Sequence, residues 1–105
     1  MNRVVLTGRL LKPAIGFSEG RVFKFVIVTE SGPGIGQGTS KLSYVPCVVF
    51  EPNKELEAAL MDNGATKYEW EMQGRVVRSR FDNAEGERRY ATEVVVDAYS
   101  VRRRS

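Results

Sequence analysis

Apolar and polar side chains alternate one for one along several stretches of this chain, a period of two that a half-buried β-strand satisfies and a helix does not. From Arg21 to Thr29, Phe23, Phe25 and Ile27 fall on one face and Lys24, Val26 and Val28 on the other. The aromatic and isoleucine face is the predicted core, which leaves Lys24 accessible. Ser43 to Phe50 sorts Val45, Cys47 and Val49 from Tyr44, Val48 and Phe50. The small, β-branched set fills a core better, so Tyr44 and Phe50 are expected to face outward. Pro46 points to an edge or a bulge within that strand. Lys67 to Phe81 alternates Tyr68, Trp70 and Met72 with Glu69, Glu71 and Gln73, until Gly74 marks a bulge or a barrel corner. Trp70 is predicted to be core or subunit interface. Arg89 to Val101 sets Thr92, Val94 and Val96 against Ala91, Glu93 and Val95, and Arg3 to Thr7 adds a strand that ends at Gly8.

Between the strands, residues 31–40 hold four glycines and one proline, the composition of a long mobile hairpin loop. They do not make a dinucleotide fingerprint, because Gln37 stands where the third glycine belongs and a strand follows. No Gly-Lys-Ser/Thr completes a phosphate loop either. Asn53 is a predicted N-cap for a helix through Met61 with Leu56, Ala59 and Leu60 as its apolar stripe, and Gly64 is expected to end it. Asp82 to Glu87 reads as a polar turn. Three strands, a short helix and two further strands predict an all-β chain, one domain over residues 1–105. The matching architecture is a five-stranded OB-fold Greek-key barrel with one short helix between strands 3 and 4.

Composition removes whole classes of activity. The chain has no histidine and one cysteine, which leaves no material for the usual hydrolytic triads, most zinc sites or an internal disulfide. No acid–base pair or nucleophile constellation stands in their place. The expectation is therefore a protein that is not an enzyme and carries neither metal nor cofactor. Cys47 is expected to be a buried thiol packed as a small hydrophobe. The opening residues lack the apolar run of a signal peptide, and no segment approaches the roughly 20 apolar residues of a membrane span. A cytoplasmic protein is expected. Sixteen Lys and Arg against 13 Asp and Glu give a formal +3, which mildly favours a polyanionic partner. Arg75, Arg78, Arg80, Arg88 and Arg89 crowd one region, and Arg102, Arg103 and Arg104 lie at the end of the sequence.

The run Asn2-Arg3-Val4-Val5-Leu6-Thr7-Gly8-Arg9-Leu10 resembles the opening of bacterial single-stranded DNA-binding proteins, the SSB family. Val48-Val49-Phe50 is similar to that family's third strand. The longest match joins Gly74-Arg75-Val76-Val77-Arg78-Ser79-Arg80-Phe81 to Arg89-Tyr90-Ala91-Thr92-Glu93-Val94-Val95-Val96. The resemblance implies sequence-tolerant binding of single-stranded DNA in replication, repair or recombination. It also implies a homotetramer, with a dimer as the lesser assembly, and Tyr68 and Trp70 are expected to offer apolar surface for it. Stacking positions carry over onto Tyr44, Phe50 and Phe81, and basic contacts onto Lys24 and Arg80. Arg78 joins them through its nearness to Phe81, and Lys41 as the cation beside the mobile loop. Where the family has a tryptophan near the base of the second hairpin, this chain has the stretch around Pro33. Where many members run on into an acidic tail that recruits partner enzymes, this sequence reads Arg102-Arg103-Arg104-Ser105. A tailless relative, primosomal replication protein N, supplies the alternative reading, a primosome-assembly module that binds DNA and replication proteins. An RNA-binding, cold-shock-like use of the same barrel is a further alternative.

Overall fold

The structure, a computed structural model, describes residues 2–31 and 41–102. The glycine-rich run from Gly32 to Gly38, expected to be mobile, lies outside the described residues, as do Arg103 and Arg104. The described elements are β1 (Val4–Leu10), β2 (Ile15–Phe17), β3 (Val22–Ser31), β4 (Lys41–Phe50), α1 (Lys54–Met61), a 3-10 turn (Asn63–Lys67), β5 (Glu69–Asp82) and β6 (Arg88–Arg102). The sheet runs β1-β5-β6-β4-β3-β2, and β1 also pairs with β3, so five strands close into the predicted OB barrel. The β4–β6 pairing is parallel and joins Cys47 to Val94 and Val48 to Val95. The other pairings are antiparallel.

Closure brings backbone against backbone at two glycines. At Gly8, where β1 passes from β5 to β3, an added Cβ would lie 2.1 Å from the Val28 carbonyl oxygen. At Gly74 it would lie 2.0 Å from the Val95 carbonyl oxygen. Gln73 and Gly74 pair with Ala98 and Val96, which leaves Asp97 as an extra residue in β6 and makes the predicted irregularity a bulge. Arg3 reaches Asp97 at 3.8 Å and Gln73 at 2.7 Å, tying the first residues to that bulge.

The core follows the alternation. Phe23, Phe25, Ile27, Cys47, Val49, Met72, Val94 and Val96 are buried together, and α1 closes the cluster with Leu56, Ala59 and Leu60. Trp70 is fully buried at 0% exposure, and its indole N–H donates to the Ala65 carbonyl at 3.2 Å. Trp70 is thus core. Tyr68 packs beside it, partly buried, with its hydroxyl donating to Asp62 at 2.6 Å, so of the pair expected to offer apolar surface for assembly Trp70 is inside and only Tyr68 reaches the outside. No described helix is long and apolar enough to cross a membrane.

Three further expectations change. A sixth strand, β2, pairs with the start of β3 through a turn in which Gly20 N–H donates to the Phe17 carbonyl at 3.2 Å, with Ser18 and Glu19 both at positive φ (53° and 59°). With Gly20 at 84°, three successive residues have positive φ, a conformation glycine adopts without strain and Ser and Glu do not. The helix runs through Met61 as predicted, but Gly64 does not end it, because Asp62 begins a 3-10 turn by accepting from Gly64 N–H at 2.9 Å. Val28 faces outward as predicted yet is buried, since Arg9 and Tyr44 stand beside it on the neighbouring strands. Asn53 does cap α1, accepting from Leu56 N–H at 2.8 Å.

Two stability measurements check this account. Gly74→Ala should lower the unfolding free energy in urea by about 3 kcal/mol, because the clash is with backbone that cannot turn aside. Glu19→Gly should raise it by about 1 kcal/mol by relieving the left-handed strain. Burial pushes the Cys47 thiol up from an ordinary 9.0 to about 12, so the folded state holds it neutral while the unfolded chain ionises first. Stability therefore falls as pH rises from about 9 to about 12, by less in Cys47→Ala than in the parent. At pH 8 a thiol reagent should label Cys47 slowly without denaturant and rapidly with it.

Candidate nucleic-acid interface

Because side chains alternate across each strand, the register fixes which residues share the outside of the barrel. One row crosses five strands: Ile15 on β2, Lys24 on β3, Val48 on β4, Val95 on β6 and Arg75 on β5. Val48 and Val95 are buried, so the middle of the row is a smooth apolar floor, while Lys24 and Arg75 at its flanks are exposed. Three strand spacings separate those two cations, about 14 Å. A second row joins Phe17, Val22 and Phe50. A third joins Val28 to Tyr44. Tyr44 and Phe50 are 59% and 56% exposed on the same face of β4, about 20 Å apart along the strand. Phe81, 49% exposed, shares this outer face through β5, where it stands opposite Arg89.

The face therefore brings together four of the predicted residues, Lys24, Tyr44, Phe50 and Phe81. The other three stand elsewhere. Lys41 is exposed at the start of β4 with the parity of Ser43 and Val45. Arg78 and Arg80 lie on the reverse face of β5, opposite Thr92 and Tyr90. Two residues on the outer face were not anticipated. Phe17 is half exposed beside Phe50's row, with the Lys24 ammonium 5.8 Å from its ring centroid. Arg89 stands across from Phe81 but is held by Glu87 at 2.7 Å.

The electrostatics of the face are more balanced than its cations suggest. Lys24 Nζ lies 3.7 Å from Glu93, whose side chain is the more buried of the two. Glu93 stands next along the outer face of β6 from Val95. At the far end of the face the β5–β6 tip is held by Asn83, whose side-chain oxygen accepts from Glu85 and Glu87 N–H, each at 2.9 Å. That cap fixes the ribbon end that carries Phe81. Among the described residues no group of three or more His, Cys, Asp or Glu stands close enough to hold a metal ion. The outer face is an array of separated flat rings with cations among them. It suits a flexible polyanion with exposed π-faces.

Known proteins resemble this chain over most of its length. A single-stranded DNA-binding protein of Clostridium tetani is 35% identical over 101 residues, covering 92% of this chain and 67% of the relative. Single-stranded DNA-binding protein 3 of Listeria innocua is 31% identical over 101 residues, covering 93% of this chain and 61% of the relative. The chain thus spans roughly two thirds of the length of these relatives. Among solved structures, the mitochondrial single-stranded DNA-binding protein Rim1 of S. cerevisiae superposes with a TM-score of 0.67 at 13% identity, covering 98% of this chain and 96% of that one. A Plasmodium falciparum SSB in complex with single-stranded DNA gives 0.69 at 17%, covering 96% and 92%. At such low identity these two matches speak for the fold, which is theirs. The Single-strand binding protein family model matches residues 1–102, and with that match across the barrel and both of its faces, the chain belongs to this family of non-enzymatic DNA-binding proteins.

Proposed function

We propose that this protein binds single-stranded DNA with little sequence preference, by stacking bases on Tyr44, Phe50 and Phe81 while Lys24 and neighbouring arginines meet the phosphates. The observation that carries the reading is the outer face itself. Three exposed aromatics lie on it at separations too large for them to bury one another, around an apolar floor between Lys24 and Arg75. Any base has a π-face, so such platforms are tolerant of sequence, and each is worth about 1–3 kcal/mol. Bases paired within a duplex present no free π-face to them. The setting we propose is replication, repair or recombination in the cytoplasm, with replication proteins as partners. Lys41, on the opposite side of β4 from Tyr44 and Phe50, adds a cation at the end of that strand rather than on the ring-bearing face.

The salt dependence separates the two kinds of contact. Phe81→Ala should weaken binding to oligo(dT) by about 1–3 kcal/mol and leave the slope of log affinity against log salt unchanged. Lys24→Ala should flatten that slope by about 0.7. Glu93→Gln, which removes the anion compensating Lys24, should tighten binding by up to about fivefold. Equal affinity for a hairpin duplex and for oligo(dT), measured by fluorescence titration, refutes the reading.

We also propose a homo-oligomer, the tetramer ahead of the dimer. Its support is the family membership, since Trp70 is sealed inside the barrel. Light scattering at micromolar concentration should give the mass of four chains; a single 11.8-kDa chain overturns it.

A further inference from the structure

Glu93 is an unexpected residue for a surface that meets phosphates. It stands on β6 two residues from Val95, on the outer side of the barrel and in the middle of the ring-bearing face. A carboxylate there repels the backbone of any nucleic acid laid across the face. Strand propensity does not explain it, since glutamate is a poor strand former. The ion pair with Lys24 does not either, because pairs open to solvent add little to stability.

The two side chains come from strands that are not neighbours. Lys24 lies on β3 and Glu93 on β6 with β4 between them, and the row from Lys24 runs through Val48 to Val95. Lys24 and Glu93 therefore reach toward each other over β4, beside the buried Val48. At 3.7 Å their contact is longer than a hydrogen bond, and neither side chain hydrogen-bonds another described residue. An ammonium with donors to spare thus stands next to a carboxylate with acceptors to spare, on an apolar floor. Phe50 is two residues from Val48 on the same face of β4, about 7 Å along the strand. On the other side the Phe17 ring centroid lies 5.8 Å from the ammonium.

The pairing edge of every base carries a hydrogen-bond donor beside an acceptor. In adenine and cytosine these are the amino group and a ring nitrogen; in thymine and guanine they are a ring N–H and a carbonyl. A protein acceptor and donor set side by side at a stacking platform can serve any of the four. In a duplex that edge is already taken.

We propose that Lys24 and Glu93 together bind the pairing edge of an unpaired base stacked on Phe50. Glu93 accepts from the base's amino group or ring N–H, and Lys24 donates to the neighbouring oxygen or ring nitrogen. The selectivity that results is for unpaired over paired bases, not for one base over another. This rests on the single-strand reading of the outer face and gives it a hydrogen-bonding element that stacking and phosphate contact lack. The repulsion between Glu93 and phosphate is common to all oligonucleotides, whereas its hydrogen bond forms only where the base has a donor.

The test compares oligo(dT) of about ten nucleotides, within the span of one OB fold, with an equally long oligomer of N3-methylthymidine. The methyl group replaces the one donor on thymine's pairing edge and leaves the sugar, the phosphates and the flat ring in place. The parent should bind oligo(dT) about tenfold more tightly than the methylated oligomer. In Glu93→Ala that ratio should shrink by more than about threefold, whichever way the two affinities themselves move. Equal binding of both oligomers by the parent overturns the proposal. So does a smaller change of the ratio in Glu93→Ala, which marks the methyl group as clashing elsewhere on the face. A parent that binds a hairpin duplex as tightly as oligo(dT) loses the single-strand reading and this inference with it. A parent that prefers oligo(dT) to duplex but ignores the methyl group loses only the edge contact.

Discussion

Backbone has to pass against backbone for this barrel to close, and at both crossings the residue is glycine. β1 serves two partners, β5 through Gly8 and β3 from Arg9 onward, and the exchange happens where no Cβ intervenes. At Gly74 the same condition holds between β5 and β6, and the extra residue Asp97 lets β6 bend there. A methyl group at either place would meet a carbonyl oxygen at a distance no side chain tolerates. Separating the strands to admit it would open the seam over Phe25, Ile27, Trp70 and Met72. Closure also decides what faces out. It pairs the sides of the five barrel strands and leaves as open backbone the outer edge of β2 and the ribbons that run past the barrel.

The alternation within each strand was legible because burial on one face of a sheet imposes it directly. Phe23, Phe25 and Ile27 are inside and Lys24 is outside for that reason, and Tyr44 and Phe50 are out because valines and a cysteine fill the core better. β2 was not legible. It has three residues, a glycine in the middle, and a turn that uses Ser18 and Glu19 where Asn-Gly would have announced it. Its stability comes from tertiary contact, including the Phe23 ring lying over Gly16. With β2 unseen, Phe17 could not be placed beside Phe50. Gly64 misled for a related reason, since the side chain of Asp62 supplies a stop that helix propensity alone does not foresee.

Grouping Arg78, Arg80 and Phe81 by nearness in sequence runs against the geometry of a strand. Adjacent residues on β5 point to opposite sides, so Arg80 and Phe81 cannot serve one face. What sequence could not supply is the register between strands, which the bulge at Asp97 shifts by one residue. That shift lets Val94 and Val96, and then Tyr99 and Val101, all pack against the core although their parities differ. It also sets Tyr90 across from Arg80.

The two faces of the ribbon differ in how their charges are committed. On the outer face Lys24 of the neighbouring β3 is compensated by Glu93 and Arg89 by Glu87, while Arg75 has no ion-pair partner among the described residues. On the reverse face Arg78 is stacked on a ring, and Arg80 has no ion-pair partner among the described residues. A compensated pair projects little field into solvent, and at physiological salt any field fades within about 8 Å. Cations without an ion-pair partner among the described residues therefore stand on both faces, at Arg75 and at Arg80, whereas the larger share of exposed ring surface lies on the barrel. On the function proposed above, a strand drawn in by these cations then lays its bases on Phe81, Phe50 and Tyr44. Salt acts mainly on the first of these steps, and removal of a ring acts on the second.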